Sequence, residues 1–195
     1  MAKPPNPELA RRILDLALEE LASKPPDKVN MRALAERAGV SPTAIYYYFP
    51  SKAELFERIK FDAMAELEGR VASATAQGGS SRDRLVALIR AFVAWCLERP
   101  HLARLLMEDL PPQEELTDEK IRRYYAIFFS ARDLIEQAVK AGELSPRDAE
   151  LDASVGQAAL WGIVTQFASK RVHPRYWDSI EPLVERFIAL FAGGS

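Results

Sequence analysis

Residues 41–52 read SPTAIYYYFPSK, with three consecutive tyrosines ahead of a Phe. On a helix, successive side chains point about 100° apart. Tyr46, Tyr47 and Tyr48 therefore sweep over more than half the circumference, and one small core cannot bury them all. At least one must face solvent or a partner. An exposed phenol can donate to a phosphate oxygen and pack its ring on a sugar or a thymine methyl. Two cations strengthen this reading. Arg32 and Lys52 stand where helices begin, the end of the macrodipole that disfavours positive charge. A phosphate between them would remove that penalty and would also accept from the open N–H groups of the helix N-termini. The chemistry is that of nucleic-acid binding. The competing reading of adjacent tyrosines is a plain packing surface.

Enzymatic chemistry is poorly represented. His101 and His173 are the only histidines, and each lies beside a proline at a helix break, outside any metal-ligand spacing. Cys96 is the single cysteine and sits in an apolar helix. It reads as a small buried hydrophobe rather than a nucleophile, and it excludes an intramolecular disulfide and zinc-finger spacing. The serines lack a nucleophile elbow, and there is no glycine-rich phosphate loop. The expectation is a non-enzymatic protein without a cofactor or a metal.

The elements that must position these residues are helices. The chain has 195 residues, 48% of them hydrophobic, enough for a substantial core and too many for a disordered chain. No run of 18 apolar residues could span a membrane, and MAKPPNPELARRILDLALEE has no signal-peptide pattern. A cytoplasmic protein without a membrane partner is expected. The net charge is −2, with +2 over residues 1–60 and −4 over the rest. This split is too small to identify a partner by itself.

Nine helices are expected, with no strand of period two. Asn6-Pro7 caps and opens the first, whose stripe is Leu9, Ile13, Leu16, Ala17 and Leu21. Asn30 caps the second, from Met31 to about Ala38, and Gly39 ends it in the left-handed conformation. Ser41-Pro42 opens the third and Phe49-Pro50 stops it. Ser51 and Glu54 form a capping box for the fourth, residues 51–76. QGGSS at 77–81 is a loop. The fifth spans about 82–98, and a short sixth follows Pro100. LPPQEEL is a proline-marked loop at 110–116. Thr117 caps a seventh helix over 118–141, Ser145-Pro146 opens an eighth running to about Arg171, and the ninth spans about 175–192.

Helices two and three are separated by only three or four residues, a helix-turn-helix. Ala35 and Ala44 are small enough for close packing, and Leu34, Val40, Ile45 and Phe49 supply a mini-core. With Ile45 and Phe49 inward, Thr43 and Tyr47 project outward, with part of Tyr46 and Tyr48.

The segment MRALAERAGVSPTAIYYYFPSKAELF closely resembles the DNA-binding segment of the TetR family of bacterial transcriptional regulators. The resemblance covers residues 8–61 in the order helix, xxRxLAExAGVS, xxxIYxYF, xSKxxL. Beyond residue 62 it is architectural only. One departure is visible: the family often has Gly near position 43 or 44, where this chain has Thr43-Ala44. The resemblance implies an all-α fold with an N-terminal DNA-binding domain, residues 1–50. Residues 51–195 would form a ligand-binding and dimerisation domain, helix 51–76 connecting the two. Carried over position by position, the DNA-contacting set is Met31 through its backbone, Arg32, Pro42, Thr43, Tyr46, Tyr47, Tyr48 and Lys52.

The C-terminal helices are rich in large apolar side chains. Plain core packing is the bland reading of any one of them. As a group they suggest a pocket for a small apolar or amphipathic effector, with Phe92, Trp95, Leu106, Tyr125, Phe128 and Trp161 as candidate lining. Helix eight carries the small residues Ala153, Gly156, Ala159 and Gly162, and helix nine a wide apolar stripe. Both are expected in a four-helix homodimer interface through Gly156, Leu160, Ile163, Ile180, Val184, Phe187 and Phe191. A dimer with recognition helices about 34 Å apart suits a palindromic operator in double-stranded DNA. The resulting reading is a ligand-responsive transcriptional regulator, a repressor released by its effector. The alternative is a helical ligand-binding or scaffold protein that no longer binds DNA.

Overall fold

A computed structural model describes residues 6–108, 114 and 116–193. Among these residues there are ten α-helices and no strand. In chain order they are α1 (Pro7–Leu21), α2 (Met31–Ala38), α3 (Pro42–Tyr48), α4 (Lys52–Thr75), α5 (Ser81–Glu98), α6 (Pro100–Glu108), α7 (Asp118–Tyr124), α8 (Ala126–Lys140), α9 (Ala149–Ala168) and α10 (Glu181–Phe191). The LPPQEEL loop lies almost wholly outside the described residues.

The local signals act as their chemistry dictates. Asn6 Oδ1 accepts from the Glu8 N–H, Asn30 Oδ1 from those of Arg32 and Ala33, Ser41 Oγ from Ala44, Ser51 Oγ from Glu54 and Thr117 Oγ1 from Lys120. Each satisfies a donor that the first helical turn leaves open. After α2, Gly39 adopts φ 72°, ψ 31°. Its N–H donates to the Glu36 carbonyl at 3.1 Å and the Val40 N–H to that of Ala35 at 2.9 Å, the paired bonds of a Schellman cap.

Three boundaries differ from the sequence reading. The seventh helix is two, α7 and α8, interrupted at Tyr125 (φ −108°, ψ 17°). No Pro or Gly stands there to announce the break, and the Phe129 N–H still reaches the Tyr125 carbonyl at 2.9 Å, so the chain kinks rather than stops. The eighth begins at Ala149, because Asp148 and not Ser145 accepts from the N–H groups of Glu150 and Leu151. The ninth begins at Glu181, preceded by a short 3-10 turn at Pro174–Tyr176. Pro182 explains the shift: proline is tolerated in the first helical turn and not in the interior.

By its own contacts the chain forms two units, Met1–Ala63 with Arg99–Leu110, and Met64–Glu98 with Pro111–Ser195. In the first, α2 packs on both α1 and α3. Its core includes Ile13, Ala17, Leu34, Ala35 and Ile45, all fully buried. In the second, α5, α8 and α9 pack on one another, with α10 against α9 and α5, and α7 against α8. Trp95, Leu85, Ile89 and Ile135 lie at its centre.

Candidate nucleic-acid interface

The interface is built on α2, the Gly39 turn and α3. Leu34 and Ile45 are fully inaccessible and Phe49 nearly so, while Val40 is half-buried at the rim of this mini-core. With Ile45 and Phe49 fixed inward, the helical period turns Pro42, Thr43, Tyr46 and Tyr47 outward. All four are exposed, Tyr46 to 45% and Tyr47 to 52%. These fractions leave about half of each tyrosine outside the packing of its own unit. Burial of a phenol ring removes apolar area worth about 25 cal/mol per Å², and here half of that gain is forgone.

Tyr48 behaves differently. It is half-buried, its ring meets that of Tyr47 edge-on at 5.6 Å, and its hydroxyl accepts from the backbone N–H of Asn6 at 3.1 Å. The bond spans 42 residues and ties the end of α3 to the cap of α1. The hydroxyl proton is left to donate outward. Lys52 is half-buried, with Nζ 3.2 Å from the Asp27 carbonyl and 5.3 Å from the centre of the Phe56 ring. Neither partner is an anion, so the ammonium is positioned without its charge being cancelled. Arg32 is exposed and its guanidinium makes no ion pair among the described residues. Met31 is buried by its side chain at the first position of α2, which leaves its backbone as the group to offer a partner. The eight residues thus divide into an exposed set (Arg32, Pro42, Thr43, Tyr46, Tyr47) and an anchored set (Met31, Tyr48, Lys52).

Sequence reasoning missed the brace behind this surface. Glu20 is only 5% exposed and its carboxylate lies 3.4 Å from Arg37 and 3.1 Å from Lys24. Arg37 also reaches Glu19 at 2.6 Å. One arginine of α2 is thereby clamped by two carboxylates of α1. A buried charge is tolerated only when paired in this way. No local pattern links positions 19 and 20 to 37.

In the second unit, Phe92 and Trp95 are buried, and Tyr125, Phe128 and Trp161 half-buried. The rings of Tyr125 and Phe128 meet edge-on at 6.3 Å. Leu106 is buried and belongs to the first unit. Trp95 is fully inaccessible and its Nε1–H donates to Glu66 at 3.3 Å. A cleft of about 370 Å³ opens among α4, α5 and α8, and none of the six residues lines it.

Of the seven residues assigned to a dimer interface, Gly156, Leu160, Ile180, Val184 and Phe187 are buried within their own chain, and Ile163 and Phe191 half-buried. Gly156 is filled by Phe191, whose Cζ would lie 2.6 Å from a Cβ placed there. The small residue admits α10 of the same chain. The large apolar side chains left exposed on these two helices are Leu151, Val155 and Leu190, at 60%, 56% and 68%. The four-residue step from 151 to 155 is the signal that could have found them.

Cys96 is buried, and burial pushes its thiol up to about 12. Among the described residues no three His, Cys, Asp or Glu side chains converge as a metal site requires, and no helix is long and apolar enough to cross a membrane.

Comparison with known proteins agrees with this geometry. Residues 13–59 match the family model of bacterial regulatory proteins, tetR family. The nucleoid occlusion factor SlmA of Marinobacter nauticus is 30% identical over 140 residues, covering 71% of this chain and 70% of that protein. A Rhodococcus protein of unknown function has the same fold, with a TM-score of 0.79 at 23% identity over 98% of this chain and all of the other. AibR, solved with isovaleryl coenzyme A and operator DNA, superimposes with a TM-score of 0.69 at 18% identity, over 96% of this chain and 100% of its own. The exposed tyrosines of α3 thus stand within the segment that matches the family model, and the chain belongs to the tetR family of bacterial regulatory proteins.

Proposed function

We propose that this DNA-binding regulator is a repressor that binds a palindromic operator as a homodimer and is released by a small apolar or amphipathic effector. The observation that carries the DNA half is the pair of half-exposed tyrosines, Tyr46 and Tyr47, beside exposed Thr43 and the cations Arg32 and Lys52. In this reading α3 enters the major groove. Thr43, Tyr46 and Tyr47 contact bases and backbone, and Pro42 packs at the groove edge. Arg32, Lys52, the Tyr48 hydroxyl and the backbone N–H of Met31 hold the flanking phosphates. Tyr48 also keeps α3 in register with α1 through Asn6.

Residues 1–50 are then the DNA-binding domain and residues 51–195 the ligand-binding and dimerisation domain, joined by helix 51–76. Leu151, Val155 and Leu190 support a dimer, because a second copy would cover three large apolar side chains that water now surrounds. The effector half is supported by AibR, a chain of this fold solved with both an acyl coenzyme A and operator DNA. An effector need favour the released state by only about 1–3 kcal/mol.

The test is selection of bound duplexes from a random library, first at low salt and then near physiological salt. An enriched inverted repeat that survives the salt step is the expected result. Enrichment of single half-sites would overturn the dimer, and no enrichment at either salt would overturn operator binding. The likeness to SlmA favours a second reading, a nucleoid occlusion factor rather than a repressor. A reporter placed behind the selected site distinguishes the two: repression supports the first, and unchanged expression the second.

A further inference from the structure

The cleft in the C-terminal unit presents two opposite charges that do not pair with each other. Glu68 lines it as an exposed residue and, among the described residues, makes no hydrogen bond or ion pair. Burial pushes its carboxyl above the usual carboxylate range, and the charge of Arg123 offsets this only in part. Arg84 also lines the cleft. Its Nη1 donates to the neutral amide of Gln137 at 3.4 Å, and no carboxylate lies within ion-pair distance among the described residues. The third charge of the lining, Asp133, is already matched by Arg132 at 2.8 Å.

Helix geometry explains why Glu68 and Arg84 stay apart. Thr75, the last residue of α4, also lines the cleft, and α5 starts at Ser81, so Arg84 lies at the Thr75 end. Glu68 and Thr75 are seven positions apart, two turns or roughly 10 Å at the helical rise of 1.5 Å per residue. α8 has the same polarity. Gln137 near its end binds Arg84, and Arg123, just before its start, acts on Glu68. The wall between the two charges is mixed: Val71, Leu88 and Leu134 are apolar, while Ser130 and Asp133 on α8 are polar. The volume, about 370 Å³, lies in the range of small-molecule sites.

We propose that this cleft binds an elongated zwitterion, its ammonium against Glu68, its carboxylate or equivalent anion against Arg84, and an apolar chain between them. Such a ligand satisfies both protein charges at once. A ligand with one charged end leaves the opposite protein charge unmatched, which lowers its affinity relative to the zwitterion. The inference deepens the effector reading given above and rests on the C-terminal unit being the effector-binding part.

The probe is 8-aminooctanoate, whose extended length matches the separation, compared with octylamine and octanoate by isothermal titration of the full chain. The zwitterion is expected to bind at least tenfold more tightly than either single-headed compound. Glu68→Gln should reduce it to the level of octanoate and Arg84→Gln to that of octylamine, with both variants melting near the wild-type temperature. Equal binding of a single-headed probe, unchanged binding by the two variants, or no binding of the zwitterion would each overturn the proposal. Operator release is read separately on the same samples. If the zwitterion binds but leaves DNA in place, the ligand class stands and effector control falls. If octylamine or octanoate releases DNA while the zwitterion does not bind, effector control stands and the zwitterion is excluded.

Discussion

Two glycine-to-alanine substitutions should move stability in opposite directions, although a Cβ meets open space at both. Gly39 closes α2 at φ 72°, and Gly69 lies inside α4. An added Cβ would find nothing within 4 Å at either position, so steric overlap with neighbours is removed from the comparison. What remains is backbone conformation. An L-residue in the left-handed region costs roughly 1–2 kcal/mol, and the stiffer unfolded chain of alanine recovers only part of that, about 0.4–1 kcal/mol. Gly39→Ala should therefore destabilise by about 1 kcal/mol. Gly69→Ala keeps helical φ and gains the propensity difference, about 0.8–1.0 kcal/mol in favour of alanine. The two variants should differ by about 2 kcal/mol. At about 2–4 °C per kcal/mol for a chain of this size, their melting temperatures should lie roughly 4–8 °C apart on either side of wild type. Far-ultraviolet circular dichroism during heating reads this directly. If both variants shift the same way, or Gly39→Ala leaves the melting temperature unchanged, the left-handed turn does not control the local stability and the argument is refuted.

Tyr47→Ala should weaken binding to the selected operator at least tenfold, about 1.4 kcal/mol, while the melting temperature stays near wild type because the ring is half exposed. Tyr48→Phe loses the bond to Asn6 and should destabilise by about 0.5–1.5 kcal/mol in urea titration; no change would show that the bond holds nothing. Leu190→Glu or Val155→Lys should yield a monomer in sedimentation, and a dimer unaffected by both would move the interface elsewhere. The raised carboxyl of Glu68 means the folded state holds the proton to higher pH than the unfolded chain, so stability falls as pH rises through the window just above the ordinary carboxylate value. Glu68→Gln should flatten that slope just above the ordinary carboxylate range, measured as melting temperature against pH.

The sequence by itself determined what depends on neighbours along the chain. Asn6, Asn30, Ser41, Ser51 and Thr117 cap the helices they precede, and Gly39 turns where only glycine is comfortable, because a cap or a left-handed turn involves a few consecutive residues. The outward direction of Thr43 and Tyr47 followed from the helical period once Ile45 and Phe49 faced inward. Pro182 carried the signal for the start of α10 at Glu181, but the sequence reading began that helix at about 175. Tertiary structure alone decided the rest. The Tyr48–Asn6 bond, the clamp of Arg37 by Glu19 and Glu20, and the placing of Glu68 and Arg84 in one cleft bring together residues that share no local pattern. α9 and α10 show the same limit from another side. Both carry more apolar residues than one face holds, so composition cannot say which are buried. The packing of α10 on α9, with Phe191 filling the space at Gly156, buried Leu160, Val184 and Phe187 and left Leu151, Val155 and Leu190 to the solvent.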